Sequence, residues 1–136
     1  MSLEVELVSP ERIAFSGQAS MVVCRTTAGD IAFQPGHIPF IGVLQTHPVK
    51  VVGTDGTETT IAVHQGFVEV SPAADDGSTR VTILSDVAEL ADSIDAERAR
   101  AAKERAEAAL QADPDDPSAQ SSLRRAEVRL AVVDAG

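Results

Sequence analysis

Up to about Asp86 the chain alternates apolar and polar residues with a period of two, and beyond Ala88 the period lengthens to that of a helix. Val5 and Leu7 interleave with Glu4 and Glu6 before Ser9-Pro10, and residues 21–24 (Met-Val-Val-Cys) form a short β-prone run. The runs 49–52 and 59–63 flank Gly53-Thr54-Asp55-Gly56, and Asp-Gly between β-branched runs signals a hairpin. A further pair, 67–70 and 81–84, flanks a polar stretch that holds Asp75-Asp76-Gly77. About ten short strands at this spacing predict a β-sandwich over residues 1–88.

Residues 89–136 predict an antiparallel α-helical hairpin, so the fold class is α+β with two domains. Ser93 is the expected N-cap of a first helix over 94–111, with Asp95 and Glu97 in the first turn, where the helix dipole favours acids. Asp113-Pro114-Asp115-Asp116-Pro117 stops it. Ser118 is the expected cap of a second helix running to about Val133, with Leu123, Ala126, Leu130 and Val133 on one face. The first helix offers mostly alanine in return: Ala99, Ala102, Ala106 and Ala109, then Leu110. Small side chains permit close approach but bury little area, so the hairpin is marginal alone and needs a partner, a ligand or a seat on the β domain.

The formal net charge of −10 argues against nucleic acid or an anionic membrane surface as a partner. Residues 1–90 carry 4 basic and 11 acidic side chains, and residues 91–136 carry 7 and 10, the dense mixture of a solvated helical surface. No window of the sequence approaches a membrane span, and Met1–Glu6 has neither a basic stretch nor an apolar core, so neither membrane insertion nor a secretory signal is expected. A lone Cys24 rules out an internal disulfide.

Catalytic signatures are missing. The sequence has no Gly-rich phosphate loop and no nucleophile elbow, and Cys24 in a strand reads as a small hydrophobe. His37, His47 and His64 fall in different predicted elements, and none is spaced as a metal pair. We therefore expect no catalytic residue, no metal and no required cofactor. The arginines are more suggestive. Arg98 and Arg105 share a face of the first helix, and Arg125 and Arg129 share a face of the second. If these faces converge, the guanidiniums need an anion or interleaved carboxylates between them; if not, they belong to a mixed-charge solvent face.

Three stretches carry a family resemblance. The first is Phe15-Ser16-Gly17 after Val8-Ser9-Pro10. The second is Gly29-Asp30-Ile31-Ala32-Phe33-Gln34-Pro35-Gly36-His37-Ile38-Pro39, with Gly66-Phe67-Val68-Glu69-Val70 further on. The third is Ile94-Asp95-Ala96-Glu97-Arg98-Ala99, followed by Ala102-Lys103-Glu104-Arg105-Ala106. In this order, and over nearly the whole chain, they resemble the epsilon subunit of bacterial F-type ATP synthases. The resemblance implies a non-catalytic central-stalk subunit at the cytoplasmic face of the cell membrane, peripheral to it, coupling the proteolipid ring to the catalytic head. Its implied partners are the gamma subunit, the proteolipid c-ring and, when the hairpin is extended, the alpha and beta subunits of the head, where it would inhibit ATP hydrolysis.

The resemblance also implies site residues. Asp30 and His37, expected at one end of the sandwich, would meet the ring. Ile94-Asp95-x-x-Arg98-Ala99 matches a motif with which some epsilon subunits bind regulatory ATP in the folded hairpin. Glu89, Ile94, Asp95, Arg98 and Ala99 would then line the adenine and ribose side, and Arg125 and Arg129 would hold phosphates, without hydrolysis. A rival reading is a stand-alone nucleotide-sensing β-sandwich with a helical hairpin. Another, an enzyme with a site around His37 and Asp30, rests on residue type alone.

Overall fold

The computed structural model describes residues 2–73 and 77–135; the polar stretch expected around Asp75 and Asp76 lies outside the described residues. Strands β1 (Leu3–Ser9), β2 (Arg12–Thr26), β3 (Gly29–Phe33), β4 (Phe40–Leu44), β5 (His47–Gly53), β6 (Glu58–Val63), β7 (Gly66–Pro72), β8 (Thr79–Leu84) and β9 (Ala88–Leu90) precede a 3-10 turn at Ala91–Ser93 and helices α1 (Ala96–Ala112) and α2 (Pro117–Ala135). Nine strands stand among the described residues where about ten were expected. Strand β2 runs as one long strand through the region read as a short segment at 21–24.

Alternation dictates the layers. Leu3, Val5 and Leu7 turn inward from β1, and Glu4 and Glu6 turn outward. One layer holds β1, β8, β7 and β4; the other holds β5, β6, β9 and β3. The long β2 joins both. Its first half pairs with β1, and after a register shift between Ala19 and Met21 its second half pairs with β5 and β3. Leu3, Leu7, Val68, Val81 and Ile83 from one side meet Val22, Phe33, Val49, Val51, Ile61 and Val63 from the other. No residue of either helix belongs to this core. The β5–β6 hairpin turns at Gly53–Gly56 as expected, with Gly56 at φ 87° and the Thr57 N–H bonded to Asp55 Oδ1 at 2.9 Å.

The helix starts differ from the expected caps. Ser93 lies in the 3-10 turn, and Asp95 caps α1, its Oδ1 accepting from the Arg98 N–H at 3.1 Å. Ile94 is extended and packs against Ala62, Val128 and Val132, which delays the helix by two residues. Likewise Asp116, not Ser118, caps α2, accepting from the Ser118 and Ala119 N–H groups at 3.0 and 3.2 Å. Pro114 stops α1, its preceding residue Asp113 being extended, and Pro117 starts α2, because the first helical position needs no N–H donor.

Helix α2 has two apolar sides. Ala119 and Ala126 are buried toward α1, whose Ala99 and Ala106 are also buried. Val128 and Val132 are buried against Ala62 of β6, with Ala91 and Ile94 alongside. The second side is the one that the spacing of Leu123, Ala126, Leu130 and Val133 left out. Burying a valine contributes about 1.5–3 kcal/mol, so this patch docks the hairpin without fusing it to the sandwich core.

Candidate functional site

The expected site residues divide between three places. At the β2–β3 turn, Asp30 lies opposite Arg25 in the ladder and accepts from its Nε at 2.7 Å. That hydrogen bond holds the Asp30 carboxyl below its usual range, with burial opposing it and the charge of Arg25 adding to it. His37 comes after the other end of β3. Its ring packs edge-on to Phe33 at 4.9 Å and to Phe40 at 6.2 Å, in a turn where Gly36 (φ 88°) donates to Thr79 Oγ1 at 2.9 Å. The two residues expected together at one end are therefore separated by β3, whose Ile31 and Phe33 must run inward between them to reach the core. Ile38, beside His37, is 73% exposed.

The second place is the seam between the hairpin and the sandwich. Glu89 belongs to β9, paired with Ala62 of β6, so the sheet fixes its backbone. Its Oε1 accepts from Arg129 Nε at 2.7 Å and from His64 Nε2 at 2.9 Å. A carboxylate only accepts, so His64 carries its proton on Nε2 here, and Nδ1 is buried without a partner among the described residues. The bond from His64 is the main influence holding Glu89 below the usual carboxylate range; partial burial opposes it, and Arg129 reinforces it. His64 reaches this position through a tight turn. Gln65 has φ 65°, Gly66 has φ 150°, and a Cβ on Gly66 would collide with the Leu84 carbonyl oxygen.

The four arginines do not enclose one space. Arg129 is engaged by Glu89; Arg125 donates to Ser122 Oγ at 3.2 Å; Arg105 edges a shallow groove between the helices; and Arg98 is exposed. Helical geometry is the reason. Buried Ala99 and Ala106 face α2, which turns the adjacent Arg98 and Arg105 away from α2's sandwich-facing side. Asp95 and Ala99 are committed to the cap and the helix interface, while Glu89, Ile94 and Arg129 meet at the seam. Sequence reasoning missed two participants, His64 and Arg124. Arg124 donates from Nε to the Thr46 carbonyl at 3.0 Å and from Nη2 to His47 Nδ1 at 2.8 Å. Its place beside Arg125 was visible, but the spacing gave no sign that it reaches β5.

The third place is an uncovered sheet surface. Val43, Phe67 and Leu84 lie side by side across β4, β7 and β8, and they are 46%, 55% and 50% exposed. Together with Val8, Pro10 and Val87 they form the apolar wall of a cleft of about 1130 Å³, whose opposite wall includes Gln120, Ser121, Arg124 and Arg125 of α2. Among the described residues no group of His, Cys, Asp or Glu could hold a metal ion, and no helix is long and apolar enough to cross a membrane.

Two family models match in tandem. Residues 2–91 match the β-sandwich domain of the ATP synthase delta/epsilon chain, and residues 92–134 match its long α-helix domain. The ATP synthase epsilon chain of Streptomyces avermitilis is 44% identical over 133 residues, covering 98% of this chain and 96% of that protein. That of Streptomyces griseus is 45% identical over 131 residues, covering 96% and 94%. A chain in a structure of the Euglena gracilis mitochondrial ATP synthase, comprising OSCP, F1 and the c-ring, shares the fold at TM-score 0.69 and 22% identity, covering 98% of this chain and 78% of that one.

The shared carboxylate of Glu89 makes a prediction. Its lowered pKa adds stability that is complete above about 4.5, its ordinary value, and is lost as pH falls through the lower value of the folded state; of the groups that lower it, His64 belongs to the sandwich and Arg129 alone to the docked hairpin. Glu89→Gln is therefore expected to weaken docking of α2 by about 1 kcal/mol at neutral pH, a figure discounted for solvent at this half-buried pair. It should also remove the part of the acid destabilisation that sets in below pH 4.5. Urea unfolding of the helices between pH 3 and 7, followed by circular dichroism, measures both.

Proposed function

This chain belongs to the ATP synthase delta/epsilon family, and from that premise we propose how its two parts divide the work of a non-catalytic central-stalk subunit. The chain couples the proteolipid ring to the catalytic head at the cytoplasmic face of the membrane, without inserting into it. The observation that carries this reading is the uncovered row Val43–Phe67–Leu84 on a sandwich whose core owes nothing to the helices. Three large apolar side chains in ladder register form a surface that a protein partner covers. We assign the gamma subunit to it, and the ring to the outer loop with exposed Ile38 and His37; Asp30 contributes from the β2–β3 turn.

The hairpin is the regulatory part. Its seat is small, so docked and extended arrangements differ by little free energy, and a ligand that favours one shifts the balance by its differential affinity. ATP is the proposed ligand for the docked form, with Glu89, Ile94, Asp95, Arg98, Ala99, Arg125 and Arg129 as its site; these side chains do not converge in the arrangement described here, so binding requires the hairpin to re-close around the nucleotide. In the extended form the hairpin reaches the alpha and beta subunits of the head and restrains hydrolysis. Arg129 is engaged by Glu89 in the arrangement described here, so ATP must share or replace that pair, whereas Arg125 has only a hydroxyl partner among the described residues.

Two measurements test these assignments. Phe67→Asp or Leu84→Asp, each at an exposed position, is expected to lower affinity for purified gamma subunit by at least tenfold with the fold intact, while removal of residues 91–136 leaves that affinity within about twofold, since interface centres carry the binding energy. Equal affinity for the aspartate variants would contradict the assigned face. For ATP, calorimetry on the isolated chain is expected to detect binding that weakens by about 1.5–3 kcal/mol in Arg125→Ala, the range for a hydrogen bond to a charged group. Absence of heat at millimolar ATP would contradict the nucleotide assignment and leave the stalk assignment standing.

A further inference from the structure

Two polar clamps hold α2 on the sandwich, one on each half of the helix. Arg129 grips Glu89 toward the C-terminal end, and Arg124 grips the start of β5 toward the N-terminal end. The second clamp depends on a protonation state. A guanidinium has donors only, so the 2.8 Å contact from Arg124 Nη2 requires a lone pair on His47 Nδ1, and the ring is neutral with its proton on Nε2. Protonation at Nδ1 would set a second N–H against Arg124 and abolish the bond.

The surroundings supply no compensation. From β2, Arg25 faces His47; from α2, Arg124 does; from β3 comes one carboxylate, Asp30, already engaged by Arg25 at 2.7 Å. From β6, the ladder partner is the apolar Val63. Burial, Arg25 and Arg124 all disfavour an imidazolium here, and only Asp30 favours it.

We propose that Arg124 and His47 form an acid-released latch, which holds the hairpin docked when His47 is neutral and lets α2 lift from β5 when that ring is protonated. The sign follows from the surroundings. The docked state keeps His47 below its ordinary value of 6.5, so the latch is complete above that value and weakens as pH falls beneath it. Its window thus lies above that of Glu89, which yields only below about 4.5. The latch rests on the reading of the hairpin as a two-state element and adds the proton as a second control on it.

The test uses the full chain with spin labels at Glu69→Cys and Asp115→Cys, both exposed positions. The native Cys24 does not compete for label, since burial pushes its thiol up to about 12. The undocked fraction is expected to rise between pH 7.5 and 5.5, by no more than about tenfold per pH unit, the limit for one proton. His47→Asn keeps an acceptor at the δ position that cannot be protonated, and it should stay docked with no pH response over that range. Arg124→Met should raise the undocked fraction at pH 7.5 and also flatten the response. A response that persists in His47→Asn, or disappears only in His64→Gln, overturns the latch, as does a wild type indifferent to pH. If gamma subunit and ATP also leave the distance unmoved, the two-state reading falls with it; if they move it, that reading survives alone.

Discussion

Glu89 accepts hydrogen bonds from Arg129 and His64 through one oxygen, and that shared carboxylate ties together three parts of the chain that the sequence keeps far apart. His64 comes from the β6–β7 turn, Glu89 from the last strand and Arg129 from the last helix. The apolar contact beneath them is slight: Val128 and Val132 against Ala62, with Ile94 and Ala91 at the edge. Alanine contacts between the two helices add little area. Docking of the hairpin therefore depends heavily on charged and hydrogen-bonded groups, which respond to protons and anions as an apolar core does not.

The sandwich has the opposite character. Its core is continuous from β1 through β9 and includes nothing from α1 or α2. Lifting the hairpin costs only the seam and leaves the scaffold that presents Val43, Phe67 and Leu84 unchanged. This separation would let the proposed movement of the hairpin leave the surface on the rigid part unchanged.

Much of this arrangement was legible along the chain, because two periods, two and 3.6, divide it near Ala88 and because the Asp55-Gly56 and Pro114–Pro117 signals are local. The first cap was misplaced for a tertiary reason; the second followed a local rule, proline at the first helical position after Asp116. Ile94 is held extended by its contact with Val128 and Val132, and no local rule places Asp95 ahead of Ser93. Asp30 and His37 were expected at one end of the sandwich, yet strand β3 lies between them. His64 and Arg124 were invisible as participants because their partners lie 25 and 77 positions away. Arg129 was expected to hold phosphates in a site that also included Glu89, and the fold pairs the two directly.

The central claim is that one face of a self-sufficient sandwich, rather than the hairpin, anchors the chain in its complex. Amide hydrogen exchange on the full chain, alone and with purified gamma subunit, tests it most directly. Protection should increase in β4, β7 and β8 around Val43, Phe67 and Leu84, and remain unchanged in the β5–β6 hairpin. Protection that appears only in α1 and α2, or in β5 and β6, would contradict it.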